Sequence, residues 1–227
     1  KAPVVENTKV TSVTKSGSTF LINTTNNDYQ ARNVIVAIGS FHKPQIPTLS
    51  KKIPKNIFQL HSSEFRNSKQ LPKGAVLIVG GGNSGIQIAD DLNKAERKVF
   101  FSIGRLRIVP RIYRDKDFME WAKLMGALDR TTEEATPEIK ATIAPNLFGS
   151  KETVDLRKLA KEGIQLTGRL KEFKNENFTF ANDLEINLDM GESALTGYKK
   201  AVDQFVANNK IKVPRANVEK RSQYKPP

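Results

Sequence analysis

The sequence predicts an α/β fold in which a parallel sheet with packed helices follows a set of antiparallel strands and is extended by further helices. Three observations carry that expectation. The apolar run Val76, Leu77, Ile78 and Val79 enters a glycine-rich turn, with Gly80, Gly82 and Gly85 at G-x-G-x-x-G spacing. The turn opens a helical pattern in which Gly85, Ile88, Ala89 and Leu92 fall on one stripe. A second candidate strand, residues 98–102, follows where a strand-helix-strand unit needs one. A run that is apolar at every position marks a parallel strand buried on both faces.

Each glycine of the turn has a separate expected task. Gly80 allows the tight exit from the strand, Gly82 lets a diphosphate approach the backbone, and Gly85 lets the helix lie close on the sheet. The helix-start amides, with Asn83 and Ser84 beside them, then form an anion site, so the unit reads as Rossmann-type and dinucleotide-binding. After the second strand, an enzyme using NAD would place an acid for the ribose hydroxyls. This chain has Ser102, then Arg105 and Arg107. A hydroxyl and planar guanidinium groups suit a dianionic 2′-phosphate, so the expected cofactor is NADP(H).

Ahead of this unit, residues 9–14, 18–25 and 29–38 read as three strands, with turns at Ser16-Gly17 and Asn26-Asn27-Asp28. Pro44 and Pro47 then impose a stiff linker. Beyond Pro110 a helix is expected over residues 117–128, with Phe118, Trp121, Leu124, Met125 and Leu128 on its inner stripe. A second helix is expected at 155–162, strands at 178–180 and 184–188, and a last helix at 195–208. The expected domains are 1–47 (antiparallel strands and linker), 48–211 (nucleotide-binding domain with a helical insertion) and 212–227 (linker or tail).

Composition narrows the chemistry. The 227 residues include no cysteine, which removes disulfides, thiolate nucleophiles and Cys-based zinc sites. Two histidines, His42 and His61, exclude a His-rich metal site, and no metal is expected. The formal charge of +13 is spread along the chain without a basic tail. Its densest group, Arg105, Arg107, Arg111 and Arg114, lies where a cofactor phosphate would sit. No nucleic-acid partner is therefore expected. Asp115, Asp117 and Glu120, beside Arg111 and Arg114, read as members of local ion pairs. Nothing resembles a membrane span or a signal peptide, and a cytoplasmic protein acting on a small-molecule substrate, as a monomer or a homo-oligomer, is expected.

Taken in order, these segments resemble the two-dinucleotide flavoprotein monooxygenases, that is, the flavin-containing and Baeyer-Villiger-type enzymes. Ala37-Ile38-Gly39 with Pro44 and Pro47 is similar to the family's A-T-G-x-x-x-x-P-x-x-P linker, Ile38 replacing threonine. His61-Ser62-Ser63-Glu64-Phe65 resembles the H-x-x-x-Y/F end of its identifying motif, although Lys55 and Ile57 stand where an aromatic and a glycine are usual. Ser102 with Arg105 matches its S-x-x-R. The resemblance implies NADPH and FAD as cofactors, with Gly39 and His61 near them, and hydride transfer to flavin for oxygen activation. It implies no catalytic side chain in this stretch. It also implies that 1–47 is a piece of a flavin domain, and that the partner of this chain is the FAD-binding portion of the same protein, whose first glycine motif is missing here. Two alternatives stay open: an NADPH/FAD-dependent reductase that inserts no oxygen, and a non-catalytic nucleotide-sensing regulator.

Overall fold

A computed structural model describes residues 3–39, 43–131, 133–134, 136–137, 145–147, 152–216 and 221–225. His42 lies outside them. The chain divides into two compact units, Lys1–Gln45 and Ile46–Pro227.

The first unit is an antiparallel three-stranded sheet in the order β1 (Val10–Ser16), β2 (Thr19–Thr24), β3 (Tyr29–Ala31). The β1-β2 turn uses Gly17 at φ +60°, in the left-handed region open to glycine. The Thr24 hydroxyl caps the second turn, accepting from the amides of Asn26 and Asn27. The third strand stops at Ala31, seven residues short of the expectation. A strand persists only while a neighbour takes its backbone hydrogen bonds; residues 33–38 pair with none among the described residues, and Ile35 and Val36 are 90% and 75% exposed.

The second unit holds a parallel sheet, ordered β4 (Val76–Val79), β5 (Val99–Ser102), β8 (Gln165–Thr167). Ile78 pairs with Phe101, and Phe101 with Leu166. Helix α1 (Asn83–Lys94) joins β4 to β5 and buries Ile86, Ala89 and Leu92. Ile86 thus joins the expected stripe, and Ile88 is only partly buried. Asp90 pairs with Lys94 one turn on at 2.7 Å. The β5-β8 connection carries a short hairpin, β6 (Ile112–Tyr113) and β7 (Lys116–Asp117), then α2 (Phe118–Leu124) and, further on, α3 (Leu156–Lys161). A second hairpin, β9 (Leu170–Lys174) and β10 (Asn177–Phe180), leads into the 25-residue helix α4 (Leu184–Asn208).

Two expected elements are corrected. Residues 184–188 are the first turn of α4, not a strand: Leu-Glu-Ile-Asn-Leu fits a period of two as well as one of 3.6, and burial of Asn187, Leu188, Gly191, Leu195 and Val202 settles the helical period. Helix α2 ends at Leu124 rather than at residue 128. Gly126 takes φ +70° and the Ala127 amide reaches back to the Ala122 carbonyl, a left-handed stop that leaves Leu124 and Leu128 about half exposed. The expected ion pairs take a definite form. Asp117 accepts from Arg111 at 2.8 Å while capping α2 in a capping box with Glu120, and Arg114 pairs with Asp203 of α4.

Two cores result. The larger packs β4, β5 and β8 against α1, α3 and the first half of α4. The smaller gathers Tyr113, Trp121 and Val202, with Tyr198, Phe205 and Val213 against them. Residues 212–216 and 221–225 carry no regular structure, yet Arg221 pairs with Glu192 at 2.7 Å and the Ser222 amide donates to Asp155. In the smaller core the Tyr198 hydroxyl is buried with no partner among the described residues, and burial pushes it up from 10 to about 12. The unfolded chain releases that proton first. Stability should therefore fall as pH rises from about 10 to about 12, and Tyr198→Phe should flatten that slope in urea melts. An unchanged slope in the variant would count against this.

Candidate functional site

Strand β4 leaves the sheet at Gly80, whose φ of +110° turns the chain away at an angle that residues with a Cβ rarely adopt. Gly82 is the N-cap of α1 at an ordinary φ of −73°, and a Cβ built there meets no atom of the described residues within 4 Å. A Cβ on Gly85 would instead be driven into the carbonyl oxygen of Gly80 and against Phe101. The three glycines therefore differ physically: one bends the chain, one leaves space above the backbone, and one closes the helix onto the strand. No side chain caps α1, and its first turn holds no acid, so its leading amides keep donors directed outward with a favourable helix dipole.

This turn floors an open cleft of about 470 Å³ at the carboxyl ends of β4 and β5. Gly80, Gly81 and Gly82 line it together with Gly104, Arg105, Arg169 and Leu170. Asn146 closes one edge: its side-chain amide donates to the Gly81 carbonyl at 2.7 Å and its oxygen accepts from the Arg107 amide at 2.9 Å. The Asn83 side chain accepts from the Leu147 amide at 2.8 Å, so residues 146 and 147 are stitched to the glycine turn. Ser84 is exposed beside them.

The sequence-predicted residues separate into groups. Gly80, Gly82, Ser102 and Arg105 line the cleft together. Asn83, Ser84 and Gly85 follow directly in α1, and Arg107 is half buried behind Asn146. Ser102 is 2% exposed; its hydroxyl donates to the Gly168 carbonyl and accepts from the Leu170 amide, both at 2.9 Å. Its only proton is thus spent tying β5 to the β8-β9 turn, which leaves the hydroxyl no donor for the cleft. His61 is not among the residues lining the cleft. Its Nδ1 lies 2.8 Å from the Ser63 hydroxyl and accepts from the Ser63 amide, which ties the ring into its own turn. Gly39 belongs to the first unit, at φ +70°.

Sequence reasoning missed Asn146 and Arg169. Nothing local marks Asn146, because its partners are some forty to sixty residues away in the chain. Arg169 did carry a signal. Strands β5 and β8 run into the same triplet, Gly104-Arg105-Leu106 and Gly168-Arg169-Leu170, on neighbouring strands of the sheet. Among the described residues no cluster of His, Asp and Glu is arranged to hold a metal ion, and no helix is long and apolar enough to cross a membrane.

Comparison with known proteins agrees with this architecture. Residues 1–111 match the pyridine nucleotide-disulphide oxidoreductase family. The chain is 43% identical over 126 residues to the uncharacterized oxidoreductase CzcO of Bacillus subtilis, covering 56% of this chain and 36% of that protein. It is 32% identical over 188 residues to a CzcO-like oxidoreductase of Geobacillus kaustophilus, covering 82% and 53%. A flavin-containing monooxygenase of Amanita muscaria is 30% identical over 141 residues, covering 60% and 25%. Among solved structures, a mutant flavin monooxygenase from Stenotrophomonas maltophilia superposes with a TM-score of 0.50 at 20% identity, over 79% of this chain and 47% of that one. The chain spans about half or less of the length of the relatives it matches.

Proposed function

We propose that this chain, a homologue of the CzcO-like oxidoreductases and flavin-containing monooxygenases, binds NADP(H) in the cleft above its glycine turn and presents it to FAD as part of an NADPH-dependent flavoprotein monooxygenase. One observation carries the reading. The cleft lies at the carboxyl ends of adjacent parallel strands, where open α/β sheets bind nucleotides, with an uncapped helix start on one side and Arg105 on the other. The residues present fit a dinucleotide phosphate. Gly82 leaves space above the backbone, the first turn of α1 has no competing acid, and among the described residues no carboxylate lines the cleft to repel a 2′-phosphate.

In this reading the α1 amides hold the pyrophosphate, and Arg105 pairs with the 2′-phosphate. Asn146 and Asn83 keep the turn in shape by tying it to residues 146 and 147. FAD, when bound, supplies the hydride acceptance and oxygen activation. The chain offers one G-x-G-x-x-G turn, and the proposal gives that turn to the nicotinamide nucleotide. The role of this chain is to bind, orient and discriminate the reductant. No side chain is required to act as nucleophile or general base.

Calorimetric titration with NADPH and NADH at near-physiological salt tests the reading. NADPH should bind more tightly, and Arg105→Ala should cut that advantage by about tenfold while leaving NADH affinity nearly unchanged. Equal affinities would remove the NADP preference. Failure to bind either nucleotide would sink the proposal.

A further inference from the structure

We infer that Arg169, in the turn between β8 and β9, is a second specificity-determining residue for the nucleotide and holds the 2′-phosphate jointly with Arg105. This rests on the nucleotide reading of the cleft and extends it to a residue on another strand. Arg169 lines the cleft beside Gly104 and Arg105. Its side chain lies flat across Gly104, where an added Cβ would come within 3.2 Å of its Cγ and Cδ. Gly104 is thus the gap through which the second arginine reaches the wall occupied by the first.

The residue is held from several directions. The Arg169 amide donates to Asp183 Oδ1 at 3.0 Å, and its Nε donates to Asp183 Oδ2 at 2.6 Å. Its carbonyl accepts from the Ala181 amide at 2.8 Å. Gly168 makes this possible, because a Cβ there would overlap Ala181 and Asp183. Asp183 engages only Nε, so with respect to the described residues the outer edge of the guanidinium, with both of its terminal nitrogens, keeps its donors for another acceptor. The side chain is 67% exposed, open to a ligand rather than sealed in a structural ion pair.

Position explains why two arginines suit this end of the cleft. In a strand-helix-strand nucleotide fold the pyrophosphate sits at the first helix start and the adenosine ribose lies over the end of the second strand. The second strand is β5 and its outer neighbour is β8. The repeated Gly-Arg-Leu therefore places one guanidinium at the end of each strand bordering the ribose. A 2′-phosphate carries nearly two charges and three acceptor oxygens, enough for two forks, whereas a ribose hydroxyl satisfies neither.

The test compares adenosine 2′,5′-bisphosphate with AMP, and NADPH with NADH, on the wild-type chain and on Arg169→Ala, Arg169→Lys and Asp183→Asn. Wild-type preference for the 2′-phosphorylated member of each pair checks the underlying reading. Arg169→Ala should then reduce that preference about tenfold with AMP and NADH affinities unchanged, and Arg169→Lys should retain part of it. Asp183→Asn should lower it less than Arg169→Ala does, through loss of positioning. If Arg169→Ala, or Arg169→Lys should the alanine variant misfold, keeps the wild-type ratio while Arg105→Ala loses it, Arg169 is a surface ion-pair residue and this inference is overturned with the nucleotide reading intact. Absence of binding to every probe in the wild type overturns both.

Discussion

Gly85→Ala is expected to cost about 3 kcal/mol or more and to abolish nucleotide binding, because the added methyl has nowhere to go. Its Cβ would overlap the Gly80 carbonyl, which is backbone and cannot rotate aside, with the fully buried Phe101 in contact beside it. Either α1 lifts off β4 or the glycine turn changes shape. Both outcomes move the helix-start amides that floor the cleft, so stability and binding should fall together. Gly82→Ala is the matching contrast: φ there is −73° and a Cβ meets no atom of the described residues, so stability should change by no more than about 1 kcal/mol. The same methyl would occupy the space above the backbone and should weaken NADPH binding strongly. Thermal melts and titrations of the two variants measure the separation. A stable Gly85→Ala protein with wild-type affinity would refute the close-packing account of the turn.

That contrast bears on what the sequence could reveal. The strand, turn and first helix were legible because their determinants are local: a continuous apolar run, fixed glycine spacing and a helical stripe within one short stretch. The glycine assignments acquire their physical content only from three-dimensional neighbours, Gly85 meeting Gly80 and Gly104 meeting Arg169. Strand β8 is three residues long, too short for periodicity to register, and its place in the sheet comes from pairing with Phe101, more than sixty residues earlier. Residues 33–38 show the converse error, a strand-like composition with no paired neighbour. At the site, Arg105 was readable from its place after a strand. Ser102 was readable as a position but not as a function, since its hydroxyl is consumed by Gly168 and Leu170, groups that no local pattern brings to it.

Trp121→Ala is expected to have the largest effect outside the glycine turn, about 3–5 kcal/mol, the range for removing a fully buried large aromatic. Trp121 is 0% exposed in the smaller core, and its indole N–H donates to the Tyr113 carbonyl at 2.8 Å. Truncation leaves a cavity and removes a buried hydrogen bond at once. The surrounding groups cannot collapse easily to fill it. Tyr113 is held by its hydroxyl to Asp203, Asp203 is held by Arg114, and the facing Val202 is fixed in α4. Trp121→Phe separates the contributions: it keeps most of the packing and loses the hydrogen bond, and should cost about 1–3 kcal/mol. Urea melts followed by circular dichroism suit all three proteins, because Trp121 is the only tryptophan of the chain and the variants lose its fluorescence. A loss below about 1 kcal/mol in the alanine variant would show that this layer repacks freely and that the Tyr113-Asp203-Arg114 ties do not hold it. The larger core, which carries the cleft, shares none of these side chains. NADPH affinity measured well below the melting transition should accordingly stay near wild type in Trp121→Phe, setting this variant apart from Gly85→Ala, in which fold and site fail through the same contact.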